Sequence, residues 1–218
     1  MTVTEAEVAF LLADLSGYTA LTEVHGDTHA AEALTRYEQM ARAALQPGAR
    51  LLERVGDEVL IVAPAVTSVL GTAVALRDAV DREPLFPTLR CGIHAGTAVE
   101  DGTRYVGSTL NLTARVAAYA RGGEILCTER ARTHAPAPAG ITYQSRGVVR
   151  FKNVQEPMAL FEVVTAQQRT VDVAIDPVCR MQVQRDAAPA RLPYGDQTYY
   201  FCSFKCARAF ADRPQDYQ

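Results

Sequence analysis

The 218-residue sequence contains no long apolar run and no excess of basic residues. No apolar segment approaches the roughly 20 residues that a membrane-spanning helix needs. The N-terminal residues, MTVTEAEVAF, lack the basic segment and the apolar stretch of a signal peptide. The formal net charge of -3 gives no indication of a surface for nucleic acid. These absences predict a cytoplasmic protein that binds neither nucleic acid nor membrane.

The composition is that of a globular protein with reduced cysteines. Apolar residues make up 48% of the chain and charged residues 22%, which suits one ordinary domain with a small appendage, or two modest domains. The five cysteines are unevenly placed, and thiols stay reduced in the cytoplasm. Cys91 and Cys127 stand alone in apolar runs and are expected to pack in the core, whereas Cys179, Cys202 and Cys206 fall within the last forty residues.

The hydrophobic pattern predicts strands and helices in an order typical of an α+β protein. Apolar runs predict strands, and apolar residues at three- and four-residue spacing predict helices. The predicted elements are a strand at 6–14, a helix at 16–45, a hairpin at 50–64, a helix at 66–80, a strand at 88–100, a helix at 107–123, a strand at 123–129 and a second hairpin at 148–164. This order favours a sheet with helices on one face.

Two aspartates lie where predicted strands end. Asp14 closes the first strand, and Asp57 follows Gly56 at the tip of the first hairpin. Two carboxylates at adjacent strand ends would supply the hard oxygen ligands that a pair of Mg²⁺ ions on a triphosphate needs. Taken singly, each is more simply explained by local structure, with Asp14 as a helix cap and Asp57 as a turn former.

Four sequence motifs favour metal binding over a purely local role for the two aspartates. FLLADLSGYTALTE, RVGDEVL, RCGIHAGTAV and VGSTLNLTARV occur in this order at fitting distances. Together they resemble the catalytic domain of the class III nucleotidyl cyclases, over roughly residues 6 to 165. The resemblance implies a ferredoxin-like βαββαβ core with extra strands in residues 1–165. It also implies a head-to-tail homodimer whose active sites lie at the subunit interface.

The resemblance assigns roles to residues of these motifs. Asp14 and Asp57 match the family's two metal-binding aspartates, which hold two Mg²⁺ or Mn²⁺ ions against the triphosphate. Asn111 and Arg115, spaced i and i+4, match the pair that orients the ribose and stabilises the transition state. An amide can hydrogen-bond the sugar, and a guanidinium can bind a phosphate with two hydrogen bonds. His94 matches a position without a catalytic role.

The positions that contact the base and the terminal phosphates depart from the family pattern or match it loosely. Lys152 lies where the family often has a phosphate-binding lysine, although Arg150 is an equal candidate. Glu53 stands where adenylate cyclases usually have lysine and guanylate cyclases glutamate. Arg104 stands where adenylate cyclases usually have aspartate. Glu53 and Arg104 either read guanine together, as acceptor and donor, or form an ion pair with each other.

The C-terminal residues carry a second resemblance. DPVCRMQV, YGDQTYYFCSFKCARAF and RPQDY resemble the YHS domain, a small metal-linked module, which we assign to residues 176–218 after a linker at 166–175. Cys179, Cys202 and Cys206 would bind a soft or borderline ion such as Zn²⁺ or Cu⁺. No fourth ligand is evident, and Asp176 is one candidate, because the four histidines all lie in the other domain. Alternatively, Cys179 and Cys202 bind no metal and are buried apolar side chains beside Tyr199, Tyr200 and Phe201.

The sequence therefore predicts a homodimeric cyclase that converts ATP to 3′,5′-cyclic nucleotide and pyrophosphate, with GTP as the alternative substrate. The C-terminal module would bind metal and regulate the enzyme. One alternative is a non-catalytic cyclase-homology domain that responds to nucleotide or metal. Another makes the C-terminal module the functional part, as a metal carrier or sensor, with the large domain serving for dimerisation.

Overall fold

The computed structural model describes residues 3–102, 104–135, 140–166 and 172–217. Residues 3–166 form a large domain, built on one eight-stranded sheet. Its strands are β1 (Val3–Ser16), β2 (Arg50–Val55), β3 (Glu58–Ala63), β4 (Thr88–Asp101), β5 (Arg104–Val106), β6 (Ile125–Thr128), β7 (Ile141–Val149) and β8 (Met158–Thr165). Its helices are α1 (Tyr18–His25), α2 (Asp27–Ala44), α3 (Val66–Arg82), α4 (Ser108–Tyr119) and α5 (Glu129–His134).

The order of the strands confirms the predicted core. The sheet runs β2-β3-β1-β4-β6-β8-β7, and β5 pairs with β4 at its end. The first four strands, with the helices between them, make the βαββαβ arrangement, and the later strands extend it. Strands β1 and β4 are the antiparallel centre, paired from Val3 opposite Asp101 to Ser16 opposite Thr88. The predicted hairpin at 50–64 is β2 and β3, joined at Gly56 and Asp57.

The single helix predicted at 16–45 is two helices. Helix α1 ends at His25, where the N–H of Gly26 donates to the carbonyl of Thr22 at 2.8 Å. Gly26 has φ 85° and ψ 165°, a conformation essentially restricted to glycine, so the chain turns before α2 begins. The three- and four-residue spacing continues through this break, which is why the pattern alone did not reveal it.

Helices cover both faces of the sheet, so the prediction that they lie on one face was wrong. Helices α2 and α3 pack with the β1 residues Leu11 and Ala13 in the largest buried cluster. Helix α4 covers the opposite face, because Gly92 of β4 allows close approach. A Cβ at Gly92 would lie 2.2 Å from the backbone nitrogen of Ala117.

The C-terminal module (residues 172–217) has two small hairpins and a helix. Its elements are β9 (Val173–Ile175) paired with β10 (Gln182–Gln184), β11 (Ala190–Tyr194) paired with β12 (Gln197–Phe201), and α6 (Phe204–Asp212), followed by a short 3₁₀ helix at Pro214–Tyr217. Strand β9 falls within the predicted linker, of which residues 167–171 lie outside the described residues.

The C-terminal module packs directly on the large domain. Leu21 and Ala30 share a buried apolar cluster with residues of the module that include Phe201 and Phe210. The backbone N–H of Gln182 donates to the carbonyl of Phe86 at 2.9 Å. Among the helices of the described part of the chain, none has both the length and the apolar character of a membrane span.

Candidate functional site

Asp14 and Asp57 lie side by side at one end of the central sheet. Asp14 of β1 stands opposite Glu58 of β3, and Asp57 is the residue directly before Glu58. On its other side, Asp14 pairs with Arg90 of β4, whose guanidinium forms an ion pair with the Asp14 carboxylate. Asp14 is only 3% exposed, whereas Asp57 is half-buried at the surface of the turn.

The proximity of the two carboxyls changes the titration of Asp14. Burial raises the pKa of Asp14, the negative charge of Asp57 raises it further, and Arg90 only partly opposes them, so that the pKa is about 7. A buried carboxylate beside a second carboxylate is stabilised by a divalent cation, because the cation offsets both the repulsion and the lost hydration. The donor set of this carboxylate pair (Asp14 and Asp57) fits Mg²⁺ or Mn²⁺.

A cleft opens between the first hairpin and α4. It has a volume of about 170 Å³, and both Glu53 and Asn111 line it. Asn111 is exposed and Arg115, one turn later on α4, is half-buried. A small-molecule site usually has a volume of about 300–1,000 Å³, so this cleft is too small to enclose a nucleotide alone.

Of the two predicted base-reading residues, only Glu53 is among those that line the cleft. Arg104 is exposed on β5, where its neighbour Tyr105 points inwards, 5.4 Å from Phe10 between ring centroids. Side chains alternate along a strand, so Arg104 points away from that contact. No ion pair between Glu53 and Arg104 occurs in the described ranges, and their predicted pairing does not form within this chain.

Lys152 and Arg150 lie in the loop between β7 and β8. Both side chains are exposed, and neither forms an ion pair with another described residue. Both therefore remain candidates for the predicted contact with the terminal phosphates. His94, by contrast, is buried in β4 and its Nδ1 lies 2.8 Å from the Thr128 hydroxyl, as expected for a structural histidine.

The three C-terminal cysteines converge, and a histidine of the large domain joins them. The Sγ atoms of Cys179 and Cys202 are 3.3 Å apart, and those of Cys202 and Cys206 are 3.6 Å apart. His25, the last residue of α1, places its Nε2 3.5 Å from the Cys202 Sγ. The four ligand atoms of this Cys₃His cluster (Cys179, Cys202, Cys206 and His25) all lie within 4.8 Å of one another.

The candidate fourth ligand Asp176 has a different role. Its carboxylate is fully buried and accepts the backbone N–H groups of Val178 and Cys202, each at 2.8 Å. It accepts a longer bond, at 3.4 Å, from the N–H of Cys179. Asp176 therefore fixes the two segments that carry Cys179 and Cys202 rather than completing the cluster. His25 was not among the predicted ligands, because it lies in the other domain, far from the cysteines in sequence.

Hydrogen bonds among the three thiols shift their pKa values. Hydrogen bonds with Cys202 and Cys206, together with burial, raise the pKa of Cys179. Hydrogen bonds with Cys179 and Cys202 lower the pKa of Cys206, so a thiolate forms most readily there. Thiolate sulfurs and an imidazole nitrogen fit Zn²⁺, and the sulfurs also fit Cu⁺. Cys91 and Cys127 are buried in the core of the large domain, as predicted.

Comparisons with known proteins agree with both parts of the chain. A family model described as YHS domain matches residues 174–218. A pH-sensitive adenylate cyclase of Mycobacterium tuberculosis (strain CDC 1551 / Oshkosh) is 30% identical over 167 residues, which cover 75% of this chain and 42% of that protein. The chain spans less than half the length of the curated relatives that it matches first.

Solved cyclase structures share the fold of the large domain. The adenylyl cyclase CyaB from P. aeruginosa superposes with a TM-score of 0.66 at 21% identity, covering 76% of this chain and 97% of that chain. The guanylyl cyclase Cya2 gives a TM-score of 0.66 at 21% identity, covering 76% of this chain and 95% of that chain. This protein therefore combines a domain with the fold of the class III adenylyl and guanylyl cyclases and a C-terminal YHS domain.

Proposed function

We propose that the chain is a nucleotide cyclase that converts ATP to 3′,5′-cyclic AMP and pyrophosphate, with GTP as the alternative substrate. The observation that carries the proposal is the carboxylate pair at the end of β1 and the tip of the first hairpin. Asp14 is buried beside Asp57, in a position that a divalent cation would stabilise. Relatives named as adenylate cyclases support the same reaction.

We assign each residue of the site a separate role in the reaction. Asp14 and Asp57 would hold two divalent ions, which would neutralise charge at the triphosphate and favour deprotonation of the ribose 3′-hydroxyl. Asn111 positions the ribose by hydrogen bonding, and Arg115 binds the phosphate on which negative charge develops. The 3′-oxygen forms its bond to the α-phosphorus as pyrophosphate leaves, and no side chain becomes covalently attached.

The size of the cleft supports an active site shared between two subunits. At about 170 Å³, the cleft that contains Glu53 and Asn111 needs a second wall to enclose a nucleotide. A homodimer that brings the carboxylate pair of one subunit to α4 of the other would supply it. Lys152 of the exposed β7–β8 loop would then reach the terminal phosphates.

The nucleotide preference depends on Glu53. Its carboxylate can accept hydrogen bonds from N1 and N2 of guanine, but it opposes N1 of adenine, which is itself an acceptor. Arg104, exposed on β5, could donate to O6 of guanine across the subunit interface. Glu53 and Arg104 favour GTP as the substrate of this chain. The similarity to relatives named as adenylate cyclases favours ATP instead.

The first test is product formation from ATP and from GTP, each with Mn²⁺ and with Mg²⁺. Asp57→Ala should lower the rate roughly a thousandfold or more, because it removes a ligand of the ions that stabilise the transition state. Asp196→Ala is the matched control, since Gly195 and Asp196 form the turn of another hairpin, distant in sequence from the site. Its rate should equal that of the wild type.

Two results would contradict the proposal. Either a folded wild-type dimer gives no cyclic nucleotide from either substrate, or Asp57→Ala retains full activity. The first result would favour the alternative of a non-catalytic domain that responds to nucleotide or metal. The observation that favours a non-catalytic domain is Arg104, which stands where adenylate cyclases usually have an aspartate that contacts the base.

A further inference from the structure

The Cys₃His cluster connects two domains, because its histidine belongs to the large domain. We infer that His25 is the fourth ligand of a Zn²⁺ ion held by Cys179, Cys202 and Cys206, and that this ion fastens the YHS domain to the turn that follows Asp14. The inference rests on the metal binding that the sequence predicts for the YHS domain and is independent of cyclase activity.

The distances within the cluster fit one tetrahedral ion. A Zn–S bond of about 2.3 Å requires neighbouring sulfurs to be separated by about 3.8 Å, and a Zn–N bond is slightly shorter. The Sγ atom of Cys202 lies 3.3 Å from that of Cys179 and 3.6 Å from that of Cys206. His25 Nε2 lies 3.5 Å from the Cys202 Sγ and 3.9 Å from the Cys206 Sγ. The histidine therefore occupies the vertex that three cysteines leave open.

Packing holds His25 in this position. Leu21 and, next to the histidine, Val24 of α1 belong to the apolar cluster formed with the YHS domain. Lys205 of α6 donates to the carbonyl of Val24, directly before His25. The turn at Gly26 ends α1 there, so the imidazole is presented at the end of a rigid helix. A ligand held by packing on both sides loses little entropy when it binds an ion.

The same contact reaches the turn after the carboxylate pair. Arg180, the neighbour of Cys179, has φ 65° and lies against Gly17, the residue directly before α1. A Cβ at Gly17 would lie 2.2 Å from the Cβ of Arg180. Gly17 is three residues after Asp14, so the metal-binding loop of the YHS domain touches the segment that carries a predicted catalytic ligand.

The YHS domain also contacts the segment directly before β4. Met181 bridges to Pro87, and Gln182 donates to the carbonyl of Phe86, immediately before β4 begins. Arg90 of β4 forms the ion pair with Asp14. Zinc at the Cys₃His cluster would therefore restrain both strands that position Asp14. Loss of zinc would remove the metal link between α1 and the YHS domain, leave only the packing contacts, and so loosen this end of the sheet.

The test compares metal binding by the full chain and by two histidine variants. His25→Ala removes the proposed ligand, whereas His29→Ala is the matched control. His29 is exposed on α2, its ring centroid lies 5.4 Å from that of His25, and it is not part of the cluster. Zinc content is measured after purification, and zinc affinity is measured by competition with a chelator.

We expect one zinc ion per wild-type chain and per His29→Ala chain. His25→Ala should weaken zinc binding at least about tenfold, because one of four ligands is replaced by water. With Co²⁺ in place of zinc, the visible absorption of wild type and His29→Ala should indicate a tetrahedral site with three sulfurs and one nitrogen, and His25→Ala should change it. Wild-type affinity and an unchanged Co²⁺ spectrum in His25→Ala would overturn the inference.

Two further measurements separate ligation from folding. His25→Cys supplies a different ligand at the same position, so it should recover tight zinc binding with a Co²⁺ spectrum of four sulfurs. Amide hydrogen exchange of residues 17–26 should slow when zinc is added to the wild type but not when it is added to His25→Ala. Equal protection in both proteins would overturn the proposed fastening. A wild type that binds no zinc would overturn the site itself, whatever its cyclase activity.

Discussion

His94 is a buried histidine whose environment opposes its charged form. Burial, followed by the positive charge of Arg130, lowers the pKa of His94 to about 4, while Glu7 acts in the opposite direction. A histidine in the unfolded chain has a pKa of about 6.5. Between these values the unfolded chain binds the proton and the folded chain does not, so stability falls as the pH falls from about 6.5 through about 4.

We expect His94→Asn to reduce this pH dependence, because asparagine keeps a polar group near the Thr128 hydroxyl but cannot take up a proton. Between pH 7.5 and pH 5, the wild type should lose about 2 kcal/mol of unfolding free energy through this residue, and the variant none. The measurement is urea unfolding of both proteins at both pH values. Subtracting the pH dependence of the variant from that of the wild type removes the contribution of the other titrating groups. An equal pH dependence of the two proteins would contradict the role assigned to His94.

The break between α1 and α2 sets the directions of two helices, one beside the Cys₃His cluster and one beside the carboxylate pair. It directs α1 towards the YHS domain and α2 along the sheet, where the Tyr37 hydroxyl donates to the carbonyl of Ala13 at 2.8 Å. Ala13 directly precedes Asp14, so this hydrogen bond from α2 holds the end of β1 that carries Asp14. One glycine thus separates the helix that carries His25 of the Cys₃His cluster from the helix that packs beside the carboxylate pair.

Gly26→Ala tests this break. Its φ of 85° and ψ of 165° are unfavourable for alanine, so the variant should lose about 1–3 kcal/mol of unfolding free energy. Glu23→Ala, at an exposed position of α1, should stay within about 0.5 kcal/mol of the wild type. Chemical denaturation of the zinc-free proteins gives both values. A Gly26→Ala variant as stable as Glu23→Ala would show that the break does not depend on glycine.

At the scale of the whole molecule, the face with the cleft exposes apolar surface. Val55, at the end of β2, is 65% exposed and lines the cleft with Glu53 and Asn111. An exposed apolar side chain in an incomplete site is expected at a subunit interface. If two chains meet there, Val55 becomes buried and the cleft gains its second wall.

Val55→Glu should therefore separate the dimer and lower cyclase activity together, because a charge buried at an interface costs several kcal/mol. Sedimentation velocity measures the mass of the particle, and the cyclase assay measures activity on the same sample. Val55→Thr, which keeps the shape without a charge, should remain dimeric. A wild type that sediments as a monomer at assay concentrations while active would contradict the shared active site.

The sequence alone determined the features that depend on local pattern. The apolar runs and the Gly56–Asp57 turn located β1, β2 and β3. The βαββαβ core was implied by the family resemblance that the four ordered motifs carry, and the strand order agrees with it. The same motifs selected Asp14 and Asp57, which the structure brings together. The cysteine spacing selected three of the four residues of the Cys₃His cluster.

Three further features became visible only in the folded chain: the break at Gly26, the position of α4 and the role of His25. The Gly26 break lay inside a continuous helical pattern, and helix α4 crossed to the opposite face because Gly92 leaves space there. His25 joined Cys179, Cys202 and Cys206 through the packing of α1 on the YHS domain, over 153 residues of sequence. Hydrophobic periodicity describes neighbours within about two helical turns, whereas ligands of one ion need only be close in space.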